Sequence, residues 1–405
     1  MSGALLKLLG RLGLLLLVVA IVVAPMLAAL DDPLAALRLF LFGPFSTLRN
    51  LGSVVTSATP LLFTGLAVSL MFRAGMFNLG AEGAFFLGGV AATAVLLRAP
   101  LPEWALASGA VLAGGVAGSI ACLLPGWMKV RYGASELVTS LMLNYAALFL
   151  GLYIVNYWLR DPDAGAMLSY HFPPEGRLTR LLAGTRIHAG VLGGLAACAL
   201  GAVYLFRTRW GYEARIVGSN PAFARHLGLP TAAIAIGVQA LGGFIAAAGG
   251  AVEVQGMYTR FAWTDLPGQG WNGLVVAILA GNHPLLVVPA AFALAALQVG
   301  GDLLARNFNV PLEMIGLIKA LVILLSTAAP QWPRWRARRL QRRRLLAAAL
   351  AAEADGDRDA DSDADASAYA SADAGPGANA SVSANANADA YANIGDANSI
   401  KRSLA

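Results

Sequence analysis

Charged residues are scarce in this chain. Asp, Glu, Lys and Arg make up 13% of its 405 residues, against roughly 25% in soluble domains. A chain that is also 58% hydrophobic cannot hide its apolar surface in one aqueous core, so its long apolar runs read as transmembrane helices. Lysine is scarcer still, with Lys7, Lys129, Lys319 and Lys401 alone. None follows a glycine, so Gly-Lys-[Ser/Thr] is missing and no phosphate-cradling P-loop can form. Cysteine is limited to Cys122 and Cys198, each inside an apolar run and without CxxC. They read as small buried hydrophobes, and no disulfide framework follows. The four histidines, at 171, 188, 226 and 283, have no metal-ligand spacing, and no nucleophile–base cluster marks an enzyme. No metal or cofactor is expected. The net charge of +6 comes largely from one arginine cluster, so it does not point to nucleic acid.

The apolar runs outline an all-α, polytopic transmembrane bundle of about ten spans, with boundaries good to a few residues. Lys7 and Arg11 precede the first run, Leu12–Leu30, which is longer than a signal-peptide core and reads as an uncleaved span. Pro33–Asn50 is a short amphipathic stretch suited to the interface. Further spans are expected over Val54–Phe72, Phe77–Leu97, Ala105–Leu124, Leu137–Trp158, His188–Phe206 and Ala232–Ala251. Two shorter runs follow, Trp271–Ala280 and Leu285–Val299, separated by Gly281-Asn282-His283-Pro284. Short runs interrupted by Gly and Pro point to discontinuous helices. The tenth span is Leu312–Ala328, with Lys319 in its middle. Small residues at four-residue spacing, Gly114/Gly118, Gly190/Gly194 and Gly242/Ala246/Gly250, read as helix-packing seams.

The chain divides into a transmembrane domain, 1–330, an Arg-rich juxtamembrane segment, 331–346, and a low-complexity tail, 347–405. Lys and Arg before the tail divide evenly between the two sides. Seven arginines between Arg334 and Arg344 break the tie and place both termini in the cytoplasm. Beyond Ala347, aspartates alternate with small residues and Ala/Asn/Ser repeats follow. Such a composition buries too little apolar surface to offset ordering entropy, so the tail is expected to be disordered.

Polar groups inside apolar runs carry the functional signal. Asn78 and Glu82 lie four residues apart, which on a helix puts them on one face. Glu136, Ser140 and Asn144 repeat the same spacing. Either these groups cap helix ends and bond neighbouring helices, or they line a polar path across the membrane.

Phe77-Asn78-Leu79-Gly80-Ala81-Glu82-Gly83 resembles the FN(I/L)GxEG signature of ABC-transporter permeases for nucleosides and simple sugars, a group that extends to branched-chain amino acid permeases. Gly133–Tyr145 is similar to the GANE(V/L)xxTxMLNY stretch of the nucleoside branch. The likeness covers roughly residues 10–330. It implies a permease subunit of an ATP-driven importer in a bacterial inner membrane. The implied partners are an ATP-binding cassette subunit, a second permease subunit, identical or different, and an extracytoplasmic substrate-binding protein. Asn78, Glu82, Glu136, Ser140 and Asn144 would then line the substrate path, with Glu253 and Asp302 as weaker candidates. An ion-coupled transporter or channel is the alternative class.

Arg207–Gly228 resembles the TxxGxxxRAxGxNxxAAxxxG loop that, in this permease group, carries the helix docking on the ATPase. Gly211, Arg215, Gly218, Asn220, Ala224 and Gly228 match, while Phe223 replaces the first of two alanines. Asn220-Pro221 is a good helix start, an Asn N-cap followed by Pro. A helix over Pro221–Leu227 is expected, with Ala222 and Ala224 giving it a small-residue surface.

Overall fold

The structure, a computed structural model, describes residues 32–308 and Gln341. The chain divides into units Met1–Gln331 and Trp332–Ala405, and the architecture below is that of the first. The expected spans Leu12–Leu30 and Leu312–Ala328, the arginine cluster and the tail lie outside the described residues.

Eleven α-helices and no strand occur among the described residues. They are α1 (Pro33–Phe42), α2 (Leu48–Arg73), α3 (Ala81–Arg98), α4 (Glu103–Tyr132), α5 (Glu136–Ile154), α6 (Gly190–Arg207), α7 (Arg209–Ser219), α8 (Pro221–His226), α9 (Thr231–Met257), α10 (Gln269–Leu279) and α11 (Pro284–Phe308). A wide turn, Val155–Leu159, prolongs α5. Seven of these helices are long and apolar enough to cross a membrane: α2, α3, α4, α5, α6, α9 and α11.

The ends are set by local chemistry. Thr47 caps α2 by accepting from Asn50 N at 3.2 Å. Gly133, at φ +67°, closes α4 in the left-handed conformation that glycine tolerates. α2 is buried along most of its length and contacts α6, α9, α10 and α11. α9 packs most extensively on α4 and α3. The expected small-residue seams make these contacts. A Cβ on Gly114 would sit 2.8 Å from Gly88 O and 2.9 Å from the Ala251 side chain, so any larger residue there pushes α3, α4 and α9 apart. On the outside, α5 shows Met142, Tyr145, Phe149 and Tyr153, a face suited to the bilayer or to an apolar partner.

Two expectations need correction. Leu285–Val299 is not a short run. α11 continues to Phe308 because Gly300 is used for a close approach to Phe40 of α1 rather than for a turn. The third span does not begin at Phe77, since Phe77–Leu79 is irregular backbone and α3 starts at Ala81.

The expected broken passage is present. After α9, residues 259–261 pair with the 169–172 loop at one end of the bundle. The backbone then descends along α3, where Trp263 stacks on Phe85 with centroids 5.7 Å apart. α10 starts beside Glu82 and runs to the other end, where Asn282 O accepts from Arg73 Nε at 2.8 Å. Asn282 has φ 57° and Gly281 φ 64°, which turns the chain into α11. Irregular backbone at this depth is tolerated because protein encloses it.

Candidate functional site: a polar clasp and a paired-helix loop

Phe77–Leu79 enters the bundle without helical hydrogen bonds, so its backbone groups need other partners. α5 supplies them. Glu136 Oε1 accepts from Phe77 N at 2.8 Å and Ser140 Oγ from Leu79 N at 3.0 Å. Asn144 accepts from Gly83 N at 2.9 Å and donates to Leu79 O at 3.0 Å. The spacing explains the match. Four residues of helix rise about 6 Å, and two residues of extended chain cover about 6.6 Å. Side chains at 136 and 140 therefore stay in step with N–H groups at 77 and 79. Lys129, half-buried on α4, pairs with Glu136 Oε2 at 2.5 Å.

Asn78 faces the other way. Its Nδ2 donates to Gln239 Oε1 on α9 at 2.8 Å, and its Oδ1 accepts from Gly80 N at 2.6 Å. Asn78 and Glu82 thus do not share a helix face. The reason is that α5 and Asn78 itself satisfy the backbone just before α3, so the helix has no need to begin earlier.

Glu82 reaches α10. One oxygen accepts from Gly268 N at 2.5 Å; the other accepts from Gly270 N at 2.5 Å and Trp271 N at 3.2 Å. A carboxylate from α3 therefore caps the α10 N-terminus, where the helix dipole favours negative charge. Hydrogen bonds to charged groups contribute about 1.5–3 kcal/mol each, which offsets the cost of an acid at membrane depth. A Cβ on Gly270 would press on the Glu82 backbone, so glycine there permits the close approach.

The five candidates are buried: Asn78 and Ser140 at 0%, Glu82 at 1%, Asn144 at 2% and Glu136 at 7% exposure. The two groups are brought together, and each side chain bonds to protein in this conformation. Glu253 is also buried, in α9, whereas Asp302 is exposed on α11. Gln239 and the Gly268–Trp271 turn escaped the sequence reading. A lone amide inside an apolar run was the signal for Gln239. Nothing in the sequence links Gly268 to an acid 186 residues earlier.

The Arg207–Gly228 loop folds into α7 and α8. Thr208 caps α7 through Gly211 N at 3.1 Å, and Asn220 caps α8 through Phe223 N at 3.0 Å. Gly211 lies against the Tyr204–Leu205 backbone and Gly218 against Arg73–Ala74. Arg215 stacks on Phe206 and Tyr212, at 5.4 and 5.8 Å. Gly228, at φ +74°, ends the turn. Ala224 is fully buried and offers no surface to a partner. This six-residue helix packs on α7 and α9, and Ala224 is its buried position. Phe223 and Leu227, each 53% exposed, form the outward face instead.

The family described as "Branched-chain amino acid transport system / permease component" matches residues 50–327. The chain belongs to this family. The glucose ABC transporter permease protein TsgB13 of Haloferax volcanii is 34% identical over 321 residues, covering 75% of this chain and 83% of that one. The guanosine ABC transporter permease protein NupP of Bacillus subtilis is 28% identical, covering 71% and 83%. The probable riboflavin import permease protein RfuC of Treponema pallidum is 29% identical, covering 82% and 88%. This permease component is therefore a multi-pass membrane subunit of a transport system, and the clasp and the paired-helix loop are its own.

Proposed function

We propose that this permease subunit forms the translocation path of an ATP-driven importer for a nucleoside or simple sugar, with about ten spans and both termini cytoplasmic in a prokaryotic plasma membrane. An ATP-binding cassette subunit seats the paired-helix loop, a second permease subunit completes the path, and an extracytoplasmic binding protein delivers the solute. Asn78, Glu82, Glu136, Ser140 and Asn144 serve the path. As paired now they close it, and opening of the clasp frees amides and carboxylates for a hydroxyl-rich solute. The names of the relatives, guanosine, glucose and riboflavin, share that chemistry.

One observation carries the reading. Gly218 of α7 rests on Arg73–Ala74, and Arg73 holds Asn282 between α10 and α11. A push on the loop therefore reaches both segments that meet at Glu82. Phe223→Glu and Leu227→Glu change only the outward face of α8. In proteoliposomes of the complete transporter, uptake is expected to fall about tenfold while basal ATP hydrolysis persists, a coupling loss of ordinary size. Wild-type uptake with wild-type stimulation by loaded binding protein in both variants would remove this loop as the coupling element.

A further inference from the structure

Four arginines converge at the end of the bundle opposite α7 and α8. Arg49 from α2, Arg180 and Arg186 from the loop before α6, and Arg306 from α11 line a cavity of about 630 Å³. Ser53 and Thr185 add hydroxyls. A smaller cavity of about 220 Å³ shares Arg49, Arg186 and Arg306 and brings in Asp302. None of the four arginines makes an ion pair among the described residues, where the pairs are Lys129–Glu136 and Arg209–Glu213. Among the described residues, the larger cavity thus has four guanidinium groups and no carboxylate, and the smaller has three beside Asp302.

Geometry adds to the field. Arg49 sits in the first turn of α2, which has no acid, so its charge lies at the positive end of a helix dipole. Close packing fixes part of the arrangement, because a Cβ on Gly52 would lie 2.9 Å from the Thr185 side chain. That contact brings Arg186 to α2. Clustered guanidinium groups repel one another unless an anion joins them, and their planar donors match phosphate oxygens. The groups line a concavity, so the anion must be compact enough to enter it.

Beside Arg49 lies an apolar shelf. Leu48, the residue before Arg49, is 60% exposed, and Phe42 and Phe45 in the preceding turn are 67% and 59% exposed, while Gly43 of that turn meets Leu303 of the smaller cavity. A phosphate next to an apolar flank at a membrane interface has the shape of a phospholipid. We propose that Arg49, Arg180, Arg186 and Arg306 form a phosphate site for the headgroup of an anionic phospholipid, with its acyl chains against the Phe42–Leu48 shelf.

Native mass spectrometry of the full-length protein, released from nanodiscs of phosphatidylglycerol mixed with phosphatidylcholine, tests this. Wild type is expected to retain phosphatidylglycerol selectively. The triple variant R49Q/R186Q/R306Q is expected to retain about a hundredfold less, as arginines near a membrane contribute about 1 kcal/mol each. The single variant R186Q, expected to lose roughly fivefold on the same scale, stands in if the triple variant melts early. The control R131Q/R207Q/R225Q, at the other end, should match wild type. Equal retention by wild type and both pocket variants overturns the proposal. Inorganic phosphate binding to wild type without lipid retention overturns the lipid assignment. Unchanged lipid retention with lost capture of the binding protein assigns the arginines to a protein face and overturns it as well. These readouts need no transport, so they stand apart from the coupling test.

Discussion

Glu82 shows what one residue does in this bundle. Its carboxylate takes three backbone donors from Gly268, Gly270 and Trp271. Replacing it by alanine strands those N–H groups in a region without water, and each unsatisfied buried donor costs about 1–3 kcal/mol. Glu82→Ala is therefore expected to lower the thermal midpoint of the purified protein by several degrees and to abolish uptake. Glu82→Gln keeps an acceptor and the volume but loses the charge, so a smaller fall in midpoint is expected. Melting both variants in the same detergent checks the order. Equal midpoints for Glu82→Ala and wild type would mean the clasp contributes nothing to stability. Glu82 was legible as an unusual acid in an apolar run. Its partners were not, because a turn with φ +78° at Gly268 must first fold back from the far side of α9.

At the scale of elements, α8 is the test case. Six residues cannot hold a helix alone, since nucleation is costly. The cap at Asn220, Pro221 at the first position and the buried Ala224 keep it formed. Asn220→Ala removes an N-cap worth about 1 kcal/mol. Hydrogen exchange across residues 221–227 is expected to quicken several-fold, with α7 protected as before, and coupled uptake should decline with it. Unchanged exchange would show that packing alone maintains α8. The cap and the helix were readable from Asn-Pro. Which side of the helix faces out was not, because six residues carry too little periodicity to mark a face. Only the seating of Ala224 gives the outward face to Phe223 and Leu227.

For the whole molecule, seven long helices and one broken passage connect the two ends of the bundle among the described residues. The 58% hydrophobic composition and the few charges require that outcome, because unpaired backbone in lipid is prohibitively costly and helices satisfy their own. The tail from Ala347 has the opposite composition. Truncation after Leu350 is expected to leave uptake and expression at wild-type levels. A large loss of transport at equal expression would show that the tail has a task.

The sequence by itself determined the class, the helix-rich passages, the small-residue seams and the break at Gly281–Pro284. These follow from composition and spacing, which act over a few residues. It also placed Glu136, Ser140 and Asn144 on one face, as four-residue spacing on a helix must. The tertiary structure decided what that face meets. Phe77–Leu79 is irregular backbone because α5 offers it hydrogen bonds in step, and Asn78 turns to Gln239 on α9. The Arg49–Arg306 cavity is likewise assembled from α2, a loop and α11. Contacts between residues 59 to 161 positions apart depend on how helices pack, and no local pattern encodes that.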